Sequence, residues 1–329
     1  MSKNLSLVLA CGDYESVRAL KEGTVKPDGI DLTLVTEMDS TSRHWRFLRN
    51  GEFDMGELSC SSYMLARDND FPIKALPVFL HRRFRHGFVF INTSKGILSP
   101  KDLIGKKVGV KSFQATAILW MRGILEHEYG VPHKSIEWFA ELDEDVEFTP
   151  PDGLRLTKLR DDQSVETMLA NGELDAVLHT DLIKLITDRD PRVARLFPHY
   201  KEEEIAYYKR TAIFPIMHVM AIRDEILTRH PWVAINMYQA FEKSRKIAMQ
   251  RMENPRIVPL AWYREAWEEQ EEILGSDPWE YGLTDANRHT LNTLAGYSFE
   301  QGMIKKQPSL DDLFLDVSQG RKRGHVYRI

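Results

Sequence analysis

Cysteine is scarce in this chain: two in 329 residues, Cys11 and Cys60. A disulfide framework is therefore excluded as the source of stability, and cytosolic thiols are the simpler account. Basic charge is not in excess either, with 44 Lys plus Arg against 49 Asp plus Glu and a formal charge of −5. That balance argues against general nucleic-acid binding, which needs a basic face. No apolar run approaches the roughly 20 residues of a membrane span. Nucleotide and nucleophile signatures are missing too. Gly105–Gly109 reads G-K-K-V-G, neither a P-loop nor G-x-G-x-x-G, and no Gly-x-Ser-x-Gly elbow occurs. Leu7-Val8-Leu9-Ala10-Cys11-Gly12 mimics the cleavage box of a bacterial lipoprotein. Only Leu5 to Ala10 precede the cysteine as an apolar run, whereas a signal peptide needs roughly 7–15 such residues. The segment reads as a buried strand ending at Cys11, and a cytoplasmic location is expected.

What the chain does have is a phrase used twice. Asn50-Gly51-Glu52-Phe53-Asp54 returns as Asn171-Gly172-Glu173-Leu174-Asp175. Each copy follows an amphipathic stretch and leads into a few apolar residues and a polar turn, Glu57–Ser62 in the first case and His179–Asp181 in the second. The pattern predicts a helix closed by a left-handed Gly, then a short strand whose far end opens into a loop. Ligands of open α/β sheets sit beyond the carboxyl ends of strands. Two such units suggest two similar lobes facing one cleft; the phrase alone leaves open two unrelated units sharing C-cap chemistry.

Along the chain, strand and helix alternate. Strands are expected at Leu5–Ala10, Ile30–Val35, Asp54–Glu57, Ile73–Leu80, Gly87–Asn92 and Ile136–Phe139. Helices are expected at Tyr14–Lys21, Ser42–Arg49, Ser61–Arg67, from Ser112 to Tyr129, and at Val165–Ala170. Such alternation means a mainly parallel sheet. Glu141–Gly153, polar and Pro-containing, reads as a long surface excursion, and 231–252, 260–274 and 285–301 read as helices. The basic tail Arg321–His325 reads as solvated.

The order of elements resembles the type II periplasmic-binding-protein fold, and the run Ser99-Pro100-Lys101-Asp102-Leu103-Ile104-Gly105-Lys106-Lys107-Val108-Gly109-Val110 looks like the phrase that opens the second lobe in that group. The resemblance implies two α/β lobes, each a mainly parallel sheet flanked by helices. The first lobe would be discontinuous, residues 1–88 with 222–329, and the second inserted, residues 89–221. Hinge strands would lie near Phe88–Asn92 and Met217–Ile222. A closer resemblance is to the 4,5-dihydroxyphthalate decarboxylases, soluble enzymes on this fold. It is carried by Cys11-Gly12-Asp13-Tyr14, His81-Arg82-Arg83-Phe84-Arg85-His86-Gly87, Phe214-Pro215-Ile216-Met217-His218 and Pro259-Leu260-Ala261-Trp262-Tyr263. It implies loss of carbon dioxide from a hydroxylated aromatic dicarboxylate to give protocatechuate, and a homo-oligomer is compatible with it. The rival is a solute-binding protein delivering a small organic anion to a membrane transporter.

Three arginines and two histidines within His81–His86 are costly to bury without anions. By habit such a run is exposed, but its place beside the expected hinge points to a cleft for a dicarboxylate. Arg82, Arg83 and Arg85 suit carboxylates because the guanidinium fork binds both oxygens. On an extended chain Arg82 and His86 would share one side, Arg83 and Arg85 the other. Ser112, Gln114 and Thr116 begin a predicted helix, where hydroxyls and amide either cap the helix or meet a ligand. Tyr14, Ser59, His81 and His179 are further candidates for substrate contact. A lone His in an apolar segment is usually a bonded core residue, yet the resemblance makes His218 the expected catalyst. The reaction requires a clamp on the retained carboxylate, a polarised phenol and a proton for the ring carbon. His218 or His86 is the expected donor, since His titrates near neutrality, and Glu57 or His179 the group handling the phenol. No cofactor is expected. A divalent metal ion is the alternative because a catechol chelates metals, although no HExxH or Cys-x-x-Cys is present.

Overall fold

The repeated phrase builds the same unit twice. Gly51 and Gly172 both close helical segments in the left-handed region, at φ 69° and 74°. Three residues on, Asp54 and Asp175 do the same job. The Val8 N–H donates to Asp54 Oδ2 at 2.7 Å, and the Lys107 N–H donates to Asp175 Oδ2 at 2.9 Å. Each aspartate's own N–H returns a bond to the carbonyl of that same residue, Val8 or Lys107. The carboxylate thus locks an incoming strand beside its neighbour, and Phe53 and Leu174 are buried at the step between.

The computed structural model describes residues 4–317; the Arg321–His325 tail lies outside the described residues. The first sheet contains β1 (Leu5–Ala10), β2 (Ile30–Val35), β3 (Met55–Ser59), β4 (Ile73–Leu76) and β11 (His218–Arg223), in the order β2-β1-β3-β11-β4. The second contains β5 (Val89–Asn92), β6 (Lys107–Val110), β7 (Glu137–Ala140), β8 (Arg155–Lys158), β9 (Ala176–Leu178) and β10 (Val193–Arg195), in the order β10-β5-β9-β6-β7-β8. Pairing is parallel except where β11 meets β3 and β4, and where β5 meets β9 and β10.

Those two reversed strands mark where the chain changes sheet. Between them run two crossing segments, 77–88 and 212–217, which touch at an Arg82–Ile216 bridge. The Arg83 N–H donates to Pro215 O and the Met217 N–H to His81 O. The His/Arg strip therefore lies on the crossing itself. β4 stops at Leu76, short of the expected Leu80, because Pro77 has no N–H to give a ladder. A division at residue 222 puts His218–Ala221 with the second unit, whereas β11 pairs wholly within the first sheet.

One apolar core runs from Leu9, Met55 and Ile222 through Phe113 and Trp120 to Val108 and Trp138, and a smaller cluster around Phe90 and Leu169 covers the other face of the second sheet. Helices Trp232–Met252, Tyr263–Leu274 and Asp285–Glu300 lie close to the expected spans. The stretch 141–153 differs from expectation: it folds back instead of projecting. Val146 is buried, and the Glu144 carboxylate accepts from the Phe113 and Gln114 N–H groups and from Ser112 Oγ. With those donors taken, the long helix begins at Thr116 instead of Ser112. No helix among the described residues is long and apolar enough to cross a membrane.

Asp54→Ala and Asp175→Ala each orphan a strand N–H and should cost about 1–3 kcal/mol. Because the two sites share no partner, the double variant should lose close to the sum, as read by urea unfolding. A loss below about 0.5 kcal/mol in either single variant would show that the carboxylate does not hold its strand.

Candidate active site

Glu57 sits on β3 with its side chain fully covered. A carboxylate there is tolerated only because donors from separate segments saturate it. Oε2 accepts from the Gly12 N–H at 2.7 Å and pairs with Arg43 Nη2 at 2.9 Å. Oε1 accepts from Tyr14 Oη at 2.8 Å and lies 2.6 Å from His218 Nδ1. Burial opposes ionisation of Glu57, but His218, Arg43 and the Gly12 N–H outweigh it and hold the carboxyl well below the usual range. Burial followed by the neighbouring Glu57 pushes the Tyr14 phenol up, so Tyr14 stays a donor.

His218 is the first residue of β11, and its register opposite Ser59 sets its ring diagonally across from Glu57. Burial draws its pKa down, and Glu57 only partly restores it. In the unliganded site this gives a neutral ring donating Nδ1–H to an ionised Glu57, with the Nε2 lone pair left over. His218 lines a cavity of about 270 Å³ between the sheets and also a second, more apolar one of about 890 Å³. His81 lines both as well, its ring 4.9 Å from that of His218. Burial, then His218, Arg85 and Arg83, push the His81 pKa down to about 2, so it is neutral.

The smaller cavity holds Arg85 and Lys111, whereas Arg82 and Arg83 line the larger one. Arg85 is buried, with Nη1 on Thr180 O at 2.7 Å, and burial takes its pKa down to about 9, still charged at neutrality. Lys111 also lines this cavity and pairs with Glu141. Ser59 and Thr116 share a 2.7 Å hydrogen bond across the two sheets, and Ser112 lies nearby on Glu144. His179 lines this cavity too. Its Nδ1 accepts from the Asp181 N–H at 3.0 Å, its buried Nε2 has no hydrogen-bond partner among the described residues but lies 4.0 Å from Glu166 Oε1, and burial lowers its pKa. Both copies of the repeated phrase thus end at one cavity, through Ser59 and through His179–Asp181.

Other expected site residues lie elsewhere. Arg82 lines the larger cavity with Arg83, but its guanidinium turns into the helical layer, bound to Glu280 O and Asn287 Oδ1. His86 is boxed by Tyr129, Phe197 and Tyr207, with neither ring nitrogen bonded. Gln114 is tied in both directions to the Val146 backbone. Glu57 is buried, and both of its oxygens are taken by its four partners. Arg83 is exposed and lines only the larger cavity. The expected alternation along 81–86 fails because the chain leaves the extended conformation at Arg85, with φ −128° and ψ −7°.

A family model described as NMT1/THI5 like matches residues 17–137. Over 327 residues the chain is 32% identical to a 4,5-dihydroxyphthalate decarboxylase of Comamonas testosteroni, covering 97% of this chain and 98% of that one. The chain belongs to the 4,5-dihydroxyphthalate decarboxylase family. A Pseudomonas putida protein of the same name is 33% identical over 201 residues, covering 59% of this chain and 77% of the relative. Solved structures place the family's fold. The periplasmic aliphatic sulphonate binding protein SsuA of Escherichia coli superposes with a TM-score of 0.53 at 12% identity, covering 97% of each chain. The desulfurization enzyme DSZB does so with a TM-score of 0.52 at 12% identity, covering 97% of this chain and all of that one (100%). At those identities the likeness is of fold, the periplasmic-binding-protein-like architecture expected from the sequence.

Sequence reasoning missed Arg43, His44 and Asp145. Arg43 and His44 are buried on the short helix Ser40–Trp45, whose start Asp39 caps. Their adjacency just after a strand–loop unit was the available signal. Asp145 lay in the segment read as surface. Among the described residues, no group of three or more His, Cys, Asp or Glu is placed to hold a metal ion.

Burial, then Arg210, lowers the His86 pKa from the ordinary 6.5 to about 4. The unfolded chain takes up this proton as pH falls through 6.5, while the folded chain refuses it until about 4. Stability should therefore fall across that window. His86→Phe should flatten the decline by roughly 2–3 kcal/mol between these pH values, measured by urea unfolding at pH 7.5 and 4.5. An unchanged slope would contradict a neutral buried His86.

Proposed function

We propose that the protein is a carboxy-lyase that converts 4,5-dihydroxyphthalate to protocatechuate and carbon dioxide, in the breakdown of phthalate-type compounds. The observation that carries this reading beyond the family's name is the Glu57–His218 pair, with a buried carboxylate at its back and a cavity at its front. A binding protein on this fold needs cations and hydrogen bonds for its ligand, but it has no use for an imidazole held and oriented by a buried carboxylate.

In the proposed mechanism Arg85 and Lys111 attract the substrate's carboxylates into the smaller cavity. Two anionic groups beside His218 favour the imidazolium, so substrate binding recharges the ring that burial had kept neutral. Glu57 stabilises that charge and fixes the ring by Nδ1, leaving Nε2–H aimed at substrate. The hydroxyl para to the departing carboxylate feeds electrons into the ring. His218 gives its proton to the carbon bearing that carboxylate, the carbon–carbon bond breaks, and the released pair restores aromaticity. His218 then regains a proton from solvent. The electron-rich ring does the bond-breaking; the protein contributes position and one well-aimed proton. The reading places the enzyme in the cytoplasm and fits a homo-oligomer.

Pure protein incubated with 4,5-dihydroxyphthalate should release one carbon dioxide per protocatechuate formed. Tight binding without release would favour a solute-binding protein instead. His218→Gln should lower turnover at least about 100-fold while calorimetry still detects substrate binding; near-normal turnover would remove His218 from the mechanism. Glu57→Gln keeps the shape of the pair but removes the charge, and kcat should fall about 100-fold or more with a smaller change in KM. A KM effect alone would make Glu57 a binding residue.

A further inference from the structure

A second carboxylate–histidine pair faces the same cavity, assembled from both sides of the cleft. His44 is buried on the helix Ser40–Trp45, its ring edge-on to His218 with centroids 5.4 Å apart. Its Nδ1 lies 3.5 Å from Asp145 Oδ2, and that oxygen also accepts from Ser62 Oγ at 2.9 Å. Asp145 belongs to the segment following β7, which Arg49 anchors through the Glu144 and Asp145 carbonyls at 2.8 and 3.3 Å. Burial opposes ionisation of Asp145, but His44 and Ser62 outweigh it and keep the carboxylate charged. An ionised Asp145 orients Nδ1–H toward itself and leaves the Nε2 lone pair. That Nε2 is buried, has no hydrogen-bond partner among the described residues, and belongs to a ring lining the cavity. A buried unbonded acceptor costs about 1–3 kcal/mol, which a ligand hydroxyl would offset.

Decarboxylation needs two proton transfers at different atoms: one off the hydroxyl oxygen, one onto the ring carbon para to it. A single imidazole cannot sit at both. Resting on the decarboxylase reading, we propose that His44 is a second acid–base catalyst, whose Nε2 takes the proton of the substrate hydroxyl while His218 protonates the ring. The O–H pair moves into the ring as Nε2 gains the proton, and the new C–H bond forms with the proton from His218. When the carbon–carbon bond to the carboxylate breaks, its pair flows back to the oxygen, which recovers its proton from His44. The sum is substrate plus one proton giving product plus carbon dioxide. Of the other imidazoles lining the cavity, His81 has Arg83 and Arg85 against its charge and for it only Glu57, already taken by four donors. His179, whose Nδ1 accepts from the Asp181 N–H, carries its proton on Nε2 and cannot take another there. The charged and titratable groups that line the cavity with His44 are Asp145 and Asp143 from the segment after β7, Lys111 just past β6, His81 and Arg85 from the crossing segment, His179 and Asp181 after β9, His218 from β11, and Asp39 at the start of its own helix.

The experiment is a pH–rate profile for carbon dioxide release from 4,5-dihydroxyphthalate, from about pH 6.5 to 9.5, toward the ionisation of a free phenol near 10. His44→Gln should lose roughly 100-fold in kcat at pH 7, and the loss should shrink as alkali ionises the hydroxyl without help. The loss in His218→Gln should not shrink. Asp145→Asn, which leaves the ring in place, should show a weaker form of the His44 pattern and decides the matter if His44→Gln does not fold. Wild-type kcat in the His44 variant, or a loss that is constant across pH, would overturn this role while leaving the decarboxylase reading intact. Wild-type protein that releases no carbon dioxide would overturn that reading, and the role of His44 with it.

Discussion

Everything at the cleft depends on one buried carboxylate. Glu57 draws the turn after β1 inward through Gly12 and Tyr14, the helix Ser40–Trp45 through Arg43, and β11 through His218. Each donor alone would be a modest contribution. Together they offset the desolvation of a charge that would otherwise be excluded from the interior of a sheet. The arrangement has a geometric consequence. Because Arg43 must reach Glu57, its neighbour His44 is carried into the cleft. Because His218 must meet Oε1, its second nitrogen is presented to the cavity.

The repeated aspartates impose the second constraint, on the scaffold. Asp54 and Asp175 lock β3 and β9 at their entry ends, so the exit ends are positioned with little freedom. Those exits supply Ser59 on one side and His179 with Asp181 on the other, and both reach a single cavity. The two reversed strands and the crossing segments between them bring the charged strip into the same place. Arg85 faces the cavity only because the chain turns out of the extended conformation there.

The same architecture is shared with a sulphonate-binding protein and a desulfurization enzyme, so the fold does not choose between capture and chemistry. The choice between them rests with the side chains at the site. The helix start that invites an anion is here filled by the protein's own Glu144, which caps Phe113 and Gln114. The cleft offers in its place an arginine and a lysine together with the imidazoles of His44 and His218, each backed by a carboxylate, which suits a substrate that must be both held and protonated.

Much of the scaffold was legible in the sequence. Apolar spacing located β1, β2 and the C-terminal helices, and the Asn-Gly-Glu-x-Asp echo located the two equivalent units, because C-cap glycine and strand periodicity are local effects. The family resemblance pointed to His218, Arg85 and the crossing strip. Side-chain direction was not legible where it depended on distant partners. Arg82 and Arg85 look alike in sequence, yet Asn287 takes one into the helical layer while Thr180 holds the other at the cavity. His86 resembles a catalyst until three aromatic rings close around it. Asp145 resembles a surface acid until Ser62 and His44 meet it. The sequence by itself determined the alternating elements, the two units and the supply of histidines and arginines, since these follow from periodicity and composition. Only the tertiary structure decided which of those charges are paired inward and which face the cleft, because that depends on partners tens to hundreds of residues away.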